Sequence, residues 1–286
     1  ILSYQCAYLL NYYPAEWLAA YLDKEPEGKK ERAINIVRSL GYEVELPNIN
    51  KSGMVWEIDA CGKTLIQPLT SIKGLGDKAV EQIIANRPFN SVEELLFNED
   101  IVYSKLNKKA LDVLVRSQAM NCLMDERFTG LKHFWSAVAV DRPKKEKDLV
   151  ENIQSYKLEG DFSVTEKIEY LVALTGIFPF EMVINKELTD KLQLHKIPPL
   201  GEFDPALKVA WFIPREIIKK KTKHGKSYFI IRVIDETCTQ ESIKCWGVDP
   251  YRDIVFLNKP YMAKLKYDET WGFSSYGLSK TWRMLG

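Results

Sequence analysis

Two glycines and two lysines around Leu75 are the residues of this chain with the clearest chemical potential. Gly74 and Gly76 flank Leu75, and Lys73 and Lys78 lie on either side. Glycine has no Cβ to forbid a positive φ, so the chain can turn sharply here, and we expect Gly76 to need a positive φ. Apolar residues recur at helical spacing directly afterwards, which predicts a helix. The backbone N–H groups of Gly74, Leu75 and Gly76, together with the two ammonium groups, would bind phosphate without regard to base sequence.

The glycine pattern does not indicate a nucleotide-binding loop, because Ala79 stands where the third glycine of G-x-G-x-x-G would be and no strand leads directly into the turn. The whole pattern at Ile72–Arg87 instead resembles the helix-hairpin-helix motif of DNA-handling proteins. The alternative is an ordinary helical hairpin whose glycines only allow close packing. A second segment, Asn107–Arg116, repeats a basic start, Lys108 and Lys109, before an apolar helix. Since these motifs commonly work in pairs, the sequence predicts a tandem DNA-binding module.

Other chemistry that the residue types would allow is less well supported. Glu57 and Asp59 share one face of a predicted strand, where two carboxylates could hold metal ions for phosphoryl transfer. Because no third carboxylate lies nearby, we favour a solvated face. The 5 cysteines include no C-x-x-C pair, and none of the 3 histidines lies at ligand spacing from a cysteine. We therefore expect reduced thiols, as in a cytosolic protein, and no zinc site.

Composition limits the class of protein. The 286 residues are 46% hydrophobic, enough for two or three domains with substantial cores, which excludes global disorder. The net charge is +1, so any nucleic-acid surface must come from local segregation of charge. No signal peptide and no run of 18 apolar residues is present, so we expect no membrane association and a cytoplasmic location. The first residue is Ile1 rather than Met, and we expect a piece of a longer protein.

The secondary-structure elements that position these residues are both helices and strands. Their order along the sequence predicts an α+β, multidomain chain. Its predicted segments are 1–68, 69–124, 125–204 and 205–286. The first combines helices with a short strand and a small β-hairpin at 54–67, and the second is the tandem helix-hairpin-helix module. The third is a helical connector that ends in a proline-rich linker. The last is rich in β-branched and aromatic residues, which is typical of strands.

The last segment reads as five strands with a short helix between the third and the fourth. The strands are predicted at 207–213, 226–234, 242–246, 261–267 and 271–278, and the helix at 249–257. This is the order of an OB-fold barrel, a fold that binds oligonucleotides. In the second strand Tyr228 and Arg232 share the face opposite the barrel interior, where they would contact a single strand. The hairpin that leads into this strand carries five lysines, Lys219, Lys220, Lys221, Lys223 and Lys226. They would either contact the phosphate backbone of the bound strand or form only a solvated hairpin tip.

The order of these pieces resembles a known family. The run from Ile1 to Leu22 (ILSYQCAYLLNYYPAEWLAAYL) is similar to the end of the fingers region in the alpha subunit of bacterial DNA polymerase III, the C-family replicative polymerase. Pro47–Asn50 resembles a turn of that family, Ile72–Val80 its helix-hairpin-helix and Pro88–Leu95 the segment that follows. The segment from Leu207 to Trp246 is similar to its OB domain. The resemblance covers most of the chain and is weakest between about 125 and 200.

The resemblance implies a DNA-binding C-terminal part of a bacterial or phage polymerase, in the cytoplasm of the cell or the infected host. The helix-hairpin-helix would hold product duplex and the OB domain single-stranded template. The family's catalytic aspartates, which use Mg²⁺, lie in an upstream palm region with no counterpart here, so we expect no catalytic residue, cofactor or metal in this chain. A sliding clamp and other replisome proteins are implied partners, although the one candidate clamp peptide, Gln154–Leu158, is a poor match. The alternatives are a non-catalytic replisome scaffold whose OB domain grips a protein, and a small enzyme using Glu57 and Asp59.

Overall fold

The computed structural model describes residues 2–157, 160–249 and 251–285, which form two compact units, 1–178 and 179–286. The first unit is mainly helical, and the second is built on one curled sheet. The α+β class that the sequence predicts is therefore confirmed. The finer division into four segments stays a prediction.

Helices make up most of the first unit. In the described chain they are α1 (Leu2–Tyr12), α2 (Pro14–Lys24), α3 (Lys30–Ser39), α4 (Asp77–Asn86), α5 (Val92–Leu96), α6 (Lys108–Arg116), α7 (Leu131–Trp135), α8 (Glu146–Tyr156) and α9 (Val164–Thr175). Single 3-10 turns lie at Glu27–Lys29, Leu69–Ser71 and Asn121–Leu123, and α7 continues into a wider π-helical turn at Ser136–Val140. The helix predicted after the glycine turn is thus present as α4.

A small sheet completes the first unit. Its strands are β1 (Glu43–Glu45), β2 (Glu57–Ile58) and β3 (Thr64–Ile66), in the order β1-β3-β2. β2 and β3 pair antiparallel, which is the predicted hairpin, and β1 joins β3 in parallel.

The core of the first unit includes residues of both α4 and α6. Val80 and Ile83 of α4 are fully buried in one apolar cluster with Leu111 and Leu114 of α6. Burying a side chain of this size contributes about 1.5–3 kcal/mol. This shared core therefore holds both helices in place, whether or not the turn before α4 binds a ligand.

The second unit begins with a helix and continues as a sheet. Its helices are α10 (Lys186–Leu194) and α11 (Leu278–Thr281), with 3-10 turns at Phe180–Met182 and Leu200–Glu202. Its strands are β4 (Val209–Lys221), β5 (Ser227–Ile234), β6 (Gln240–Trp246), β7 (Tyr261–Lys264), β8 (Lys266–Asp268), β9 (Gly272–Tyr276) and β10 (Trp282–Met284). Buried side chains of central and edge strands share one core cluster, among them Phe212 of β4, Phe229 of β5 and Trp282 of β10.

The helix predicted at 249–257 is wrong for the residues that the structure describes there; Pro250 lies outside them. The Asp249 carboxylate accepts the N–H of Tyr251 (3.0 Å), and the Asp253 carboxylate accepts the N–H of Asp249 (2.7 Å). Short aspartate side chains that bond the local backbone in this way compete with helix formation and favour turns.

The sheet has seven strands in the order β10-β7-β4-β5-β6-β9-β8, where the sequence predicted five. β4 is long enough to pair with β7 through its first residues and with β5 through the rest. β6 and β9 run parallel, while the other pairs are antiparallel. Only Leu265 separates β7 from β8, so one bent strand contributes to both ends of the order and the sheet curls round on itself. Two features raise the count from five to seven. The break at Leu265 divides one predicted strand into β7 and β8, and β10 adds an edge strand that was not predicted.

Candidate nucleic-acid interface

The turn before α4 uses its two glycines differently. Gly74 has φ of 89°, in the left-handed region, where a residue with a Cβ is strained. Gly76 has φ of −84° and ψ of 143°, an extended conformation that any residue adopts. Our expectation that Gly76 needs a positive φ is therefore wrong. Gly74 alone reverses the chain, and Gly76 is the N-cap residue from which α4 starts.

Backbone N–H groups remain available on one side of this turn. Leu75 was predicted to offer its N–H to a phosphate, but that N–H is bonded to Ile72 O (3.0 Å). The Leu75 side chain is only 7% exposed, so this residue anchors the turn in the core instead. Four N–H groups have no acceptor in the described part of the chain; they belong to Gly74, Gly76, Asp77 and Lys78. Free donors of this kind, at the positive end of the α4 dipole, favour an anion.

The second predicted motif lies against the first. Asn107 caps α6, its side-chain oxygen accepting the N–H of Ala110 (3.0 Å). A Cβ placed on Gly74 would lie 3.6 Å from Cγ1 of Val113 and 3.7 Å from Cε of Lys109. The glycine therefore also allows α6 to approach the turn closely, which is the packing role of the alternative interpretation.

The starts of the two helices line one open cleft of about 640 Å³. Its charged lining residues are Lys78, Lys105, Lys109, Asp77 and Glu81, all of them exposed. Lys105 was missed by the sequence reasoning, although it belongs to the same basic run as the two predicted lysines of the second motif. The cleft thus combines free N–H groups with three ammonium groups and two carboxylates.

Two of the predicted lysines do not line this cleft. Lys108 Nζ donates to the backbone oxygen of Val140 (2.9 Å), at the end of the π turn. Lys73 lines a different depression of about 270 Å³, which it shares with Glu31. Its backbone N–H is bonded to Leu174 O (2.9 Å). The structure therefore groups Gly74, Gly76 and two of the predicted lysines, Lys78 and Lys109, at the cleft.

In the second unit, β5 divides its side chains as predicted. Phe229, Ile231 and Val233 are buried in the sheet interior, and Tyr228 and Arg232 lie on the opposite face. The Arg232 guanidinium pairs with the Glu216 carboxylate (2.8 Å), and both remain exposed. The Tyr228 ring stacks on the Trp246 ring, with centroids 4.6 Å apart and planes at 21°. One face of each ring is therefore already covered.

The five hairpin lysines do not lie together on that face. The register places Lys220 opposite Tyr228, whereas Lys219 and Lys221 are opposite Phe229 and Ser227 and so point to the other face. Lys223 and Lys226 are exposed in the turn that joins β4 to β5. On the Tyr228 face, the strands therefore supply one predicted lysine.

A row of exposed aromatic side chains on this outer face was missed by the sequence reasoning. Trp246 pairs with Tyr276 in the parallel register of β6 and β9, which continues the row Lys220, Tyr228, Trp246 across four strands. Tyr276 is 74% exposed, and Trp271, just before β9, is 70% exposed. Lys244 Nζ donates to Trp271 O (3.1 Å) and lies 5.2 Å from its ring centroid. The alternation of β6 was the signal that could have found Trp246.

Of the two carboxylates considered for metal binding, that of Asp59 has a local role. Asp59 accepts the N–H groups of Lys63 and Thr64 (3.2 and 2.9 Å) and a bond from the Cys61 thiol (2.7 Å), so it closes the turn of the β2–β3 hairpin. These bonds, that of the thiol first, lower the pKa of Asp59. Within the described ranges no group of three or more histidine, cysteine or acidic residues is placed to hold a metal ion. No helix in those ranges is long and apolar enough to span a membrane.

Comparison with known proteins matches a helix-hairpin-helix motif model to residues 41–139. The chain is 31% identical over 131 residues to DNA polymerase III subunit alpha of Thermus aquaticus, which covers 44% of this chain and 10% of that protein. It is 24% identical over 262 residues to the subunit of the same name from Chlamydia pneumoniae, covering 82% of this chain and 21% of that protein. It is 33% identical over 133 residues to the one from Xylella fastidiosa strain Temecula1, covering 44% and 11%.

The matched region is therefore a small part of each relative, between a tenth and about a fifth of its length. The motif match encloses the turn, the cleft and both of its helices. The resemblance indicated by the sequence motifs is confirmed: this chain is a relative of DNA polymerase III subunit alpha that contains a helix-hairpin-helix motif.

Proposed function

We propose that this chain is a DNA-binding portion of a replicative DNA polymerase. In this proposal the cleft between α4 and α6 binds the phosphates of product duplex, and the outer face of the curled sheet binds single-stranded template. The observation that carries the proposal is the cleft, where free N–H groups at a helix start lie beside Lys78, Lys105 and Lys109.

The chemistry of the cleft suits a phosphodiester backbone. Its N–H groups fix the position of a phosphate oxygen, and its lysines add long-range attraction and counterion release. Asp77, in the first turn of α4, stabilises the positive end of the helix dipole, so it has a structural role despite its charge. None of these groups reads a base edge, so binding should be independent of sequence, as a polymerase requires of its product duplex.

The assignment of the second unit to the OB fold belongs to the same proposal. With β7 and β8 counted as one bent strand, β4 pairs with both its neighbours and the third and fifth strands run parallel. OB barrels bind oligonucleotides on the face of their second and third strands, which here are β5 and β6. The exposed rings of Trp271 and Tyr276 flank that face and offer surfaces on which bases could stack.

In this proposal the polymerase activity belongs to the parent enzyme, and this chain alone does not carry it out. Deoxynucleotide polymerisation would use Mg²⁺ held in a palm region that has no counterpart in this sequence. A sliding clamp and other replisome proteins are proposed partners. The candidate clamp peptide, Gln154–Leu158, ends at Leu158, which lies outside the described residues. The rival proposal is a scaffold whose sheet binds a protein.

Duplex binding measured as a function of salt tests the cleft. The full chain should bind a labelled duplex of arbitrary sequence, with an affinity that falls steeply as salt rises. Replacing Lys78, Lys105 and Lys109 together by Gln should reduce the slope of log K against log[salt] by up to about 2.7, at about 0.9 for each phosphate neutralised. Glutamine keeps most of the side-chain length, so loss of charge is the main change.

A matched triple variant controls for net charge. Lys24, Lys51 and Lys147 are exposed lysines of the first unit that do not line the cleft, and their replacement by Gln should leave the slope nearly unchanged. Equal effects of the two triple variants would assign binding to diffuse charge and refute the cleft. Absence of duplex binding at low salt by the folded chain would favour the packing interpretation of the hairpin and the scaffold.

A further inference from the structure

Arg142 is a buried cation without a carboxylate partner. Its side chain is 6% exposed, and no acidic residue within the described part of the chain pairs with it. Its Nε has no hydrogen-bond partner there. Because a buried guanidinium without a counterion is costly, its presence calls for an explanation in terms of what it holds.

Arg142 holds Tyr103. The guanidinium carbon lies 3.5 Å from the centroid of the Tyr103 ring, and NH1 donates to the backbone oxygen of the same residue (2.8 Å). A cation–π contact and a charge-assisted hydrogen bond thus fix both the ring and the backbone of one residue.

Tyr103 lies in the segment that carries part of the cleft. Residues 97–107, between α5 and α6, form no helix or strand. They bring Lys105 and Asn107 to the cleft. Besides the Arg142 contact, the segment is tied to α4, where the Gln82 side chain accepts the N–H of Val102 (3.0 Å).

The π turn provides the fixed base for these contacts. Its wider coil is closed by the bond from Asp141 N–H to Ser136 O (3.2 Å). Asn152 Nδ2 donates to Ala137 O and Asp141 O (3.0 and 2.6 Å), which holds the end of the turn in place. Lys108 Nζ donates to the carbonyl of Val140, so the start of α6 is tied to the same base. π turns are rare in helices and frequently lie at functional sites.

We propose that Arg142 is a positioning residue of the phosphate-binding cleft, which fixes Tyr103 and thereby keeps Lys105 directed at the duplex. Lys108 acts in the same way through Val140, as a tie for α6. The inference rests on the proposed function of the cleft. It assigns to Arg142 and Lys108 a role in DNA binding that involves no contact with DNA.

The first test uses hydrogen exchange and needs no DNA. In the full chain, Arg142→Met should accelerate exchange at residues 102–106 by about tenfold or more, the effect of losing a charge-assisted hydrogen bond. Exchange in the cores of α4 and α6 should stay unchanged or slow down, since methionine replaces an unpaired buried charge. Unchanged exchange at 102–106 would overturn the positioning role whether or not the chain binds DNA.

The second test asks whether Arg142 acts through Lys105. Lys105→Gln and Arg142→Met should each reduce the salt slope of duplex binding by about 0.9, and the double variant by no more than either alone. Lys109→Gln should keep its full effect in the Arg142→Met chain. Additive effects of Arg142→Met and Lys105→Gln would refute the inference, whereas failure of the unaltered chain to bind duplex would refute the proposed function instead.

A second variant guards against loss of folding in Arg142→Met. Tyr103 is half exposed, so Tyr103→Leu should leave the core intact while removing the ring that Arg142 covers. Like Arg142→Met, it should accelerate exchange at 102–106 and reduce the contribution of Lys105 to the salt slope of duplex binding. A Tyr103→Leu chain with the full Lys105 contribution would show that the Tyr103–Arg142 contact does not position the lysine.

Discussion

Substituting alanine for each glycine of the turn tests the structure most directly, because the two positions differ chiefly in backbone conformation. At Gly74 the φ of 89° is unfavourable for any residue with a Cβ, while the added atom itself would meet only ordinary contacts at 3.6 and 3.7 Å. At Gly76 the φ is ordinary, and no atom lies within 4 Å of the added Cβ. Strain is therefore expected at Gly74 alone.

The expected changes in the free energy of unfolding follow from the backbone conformation at each position. A residue with a Cβ in the left-handed region costs about 1–2 kcal/mol, so Gly74→Ala should destabilise the first unit by that amount. At Gly76 two small terms oppose each other. Replacing glycine restricts the unfolded chain and stabilises by about 0.4–1 kcal/mol, whereas alanine is a poorer N-cap than glycine by a similar amount. Gly76→Ala should therefore change stability by less than about 0.5 kcal/mol.

Hydrogen exchange at slowly exchanging amides of α4 and α6 in the full chain measures the opening of this unit separately from the other. Gly74→Ala should raise those rates by roughly 5–30-fold, the factor for 1–2 kcal/mol, and Gly76→Ala should leave them nearly unchanged. Although Gly76→Ala should leave stability nearly unchanged, it should lower duplex affinity, because its methyl group would lie among the free N–H groups. Equal destabilisation by the two substitutions would refute the conformations assigned to the turn.

Three further outcomes are expected. Tyr276→Ala should weaken single-strand binding by about 1–3 kcal/mol with the salt slope unchanged, because it removes a stacking surface and no charge; a flattened slope or unchanged affinity would contradict the stacking role. Arg127 lowers the pKa of Glu93 through its hydrogen bonds, so their contribution to stability is present above the ordinary value of 4.5 and lost as pH falls; calorimetry should show a shallower loss of stability below pH 4.5 in Arg127→Met. With Mg²⁺ and all four deoxynucleotides the chain should extend no primer, and incorporation abolished by Glu57→Gln or Asp59→Asn would instead support the small-enzyme alternative.

Local sequence signals predicted the elements well where one short-range cause decides them. Gly41, just past α3, takes the positive φ expected of a glycine that ends a helix. Ser91 accepts the N–H of Glu94 as the N-cap of α5. The alternation in β5 sorted Phe229 from Tyr228 correctly, because a period of two leaves one face for the core. In each case the neighbouring residues contain the whole physical reason.

The composition of the site could not be predicted in the same way, because it depends on contacts between distant residues. Lys108 and Lys109 are equivalent as sequence, yet one reaches the carbonyl of Val140 and the other the cleft. The difference arises because a π turn more than twenty residues further along the chain offers its last carbonyl to Lys108. Hydrophobic periodicity does not predict such a turn. The basic run at 142–147 likewise predicts a solvated helix start when taken as sequence alone, although its first residue, Arg142, is buried on Tyr103. A charge pattern thus suggests where to look for a phosphate site, while the packing of the surrounding helices decides which charges can reach a ligand there.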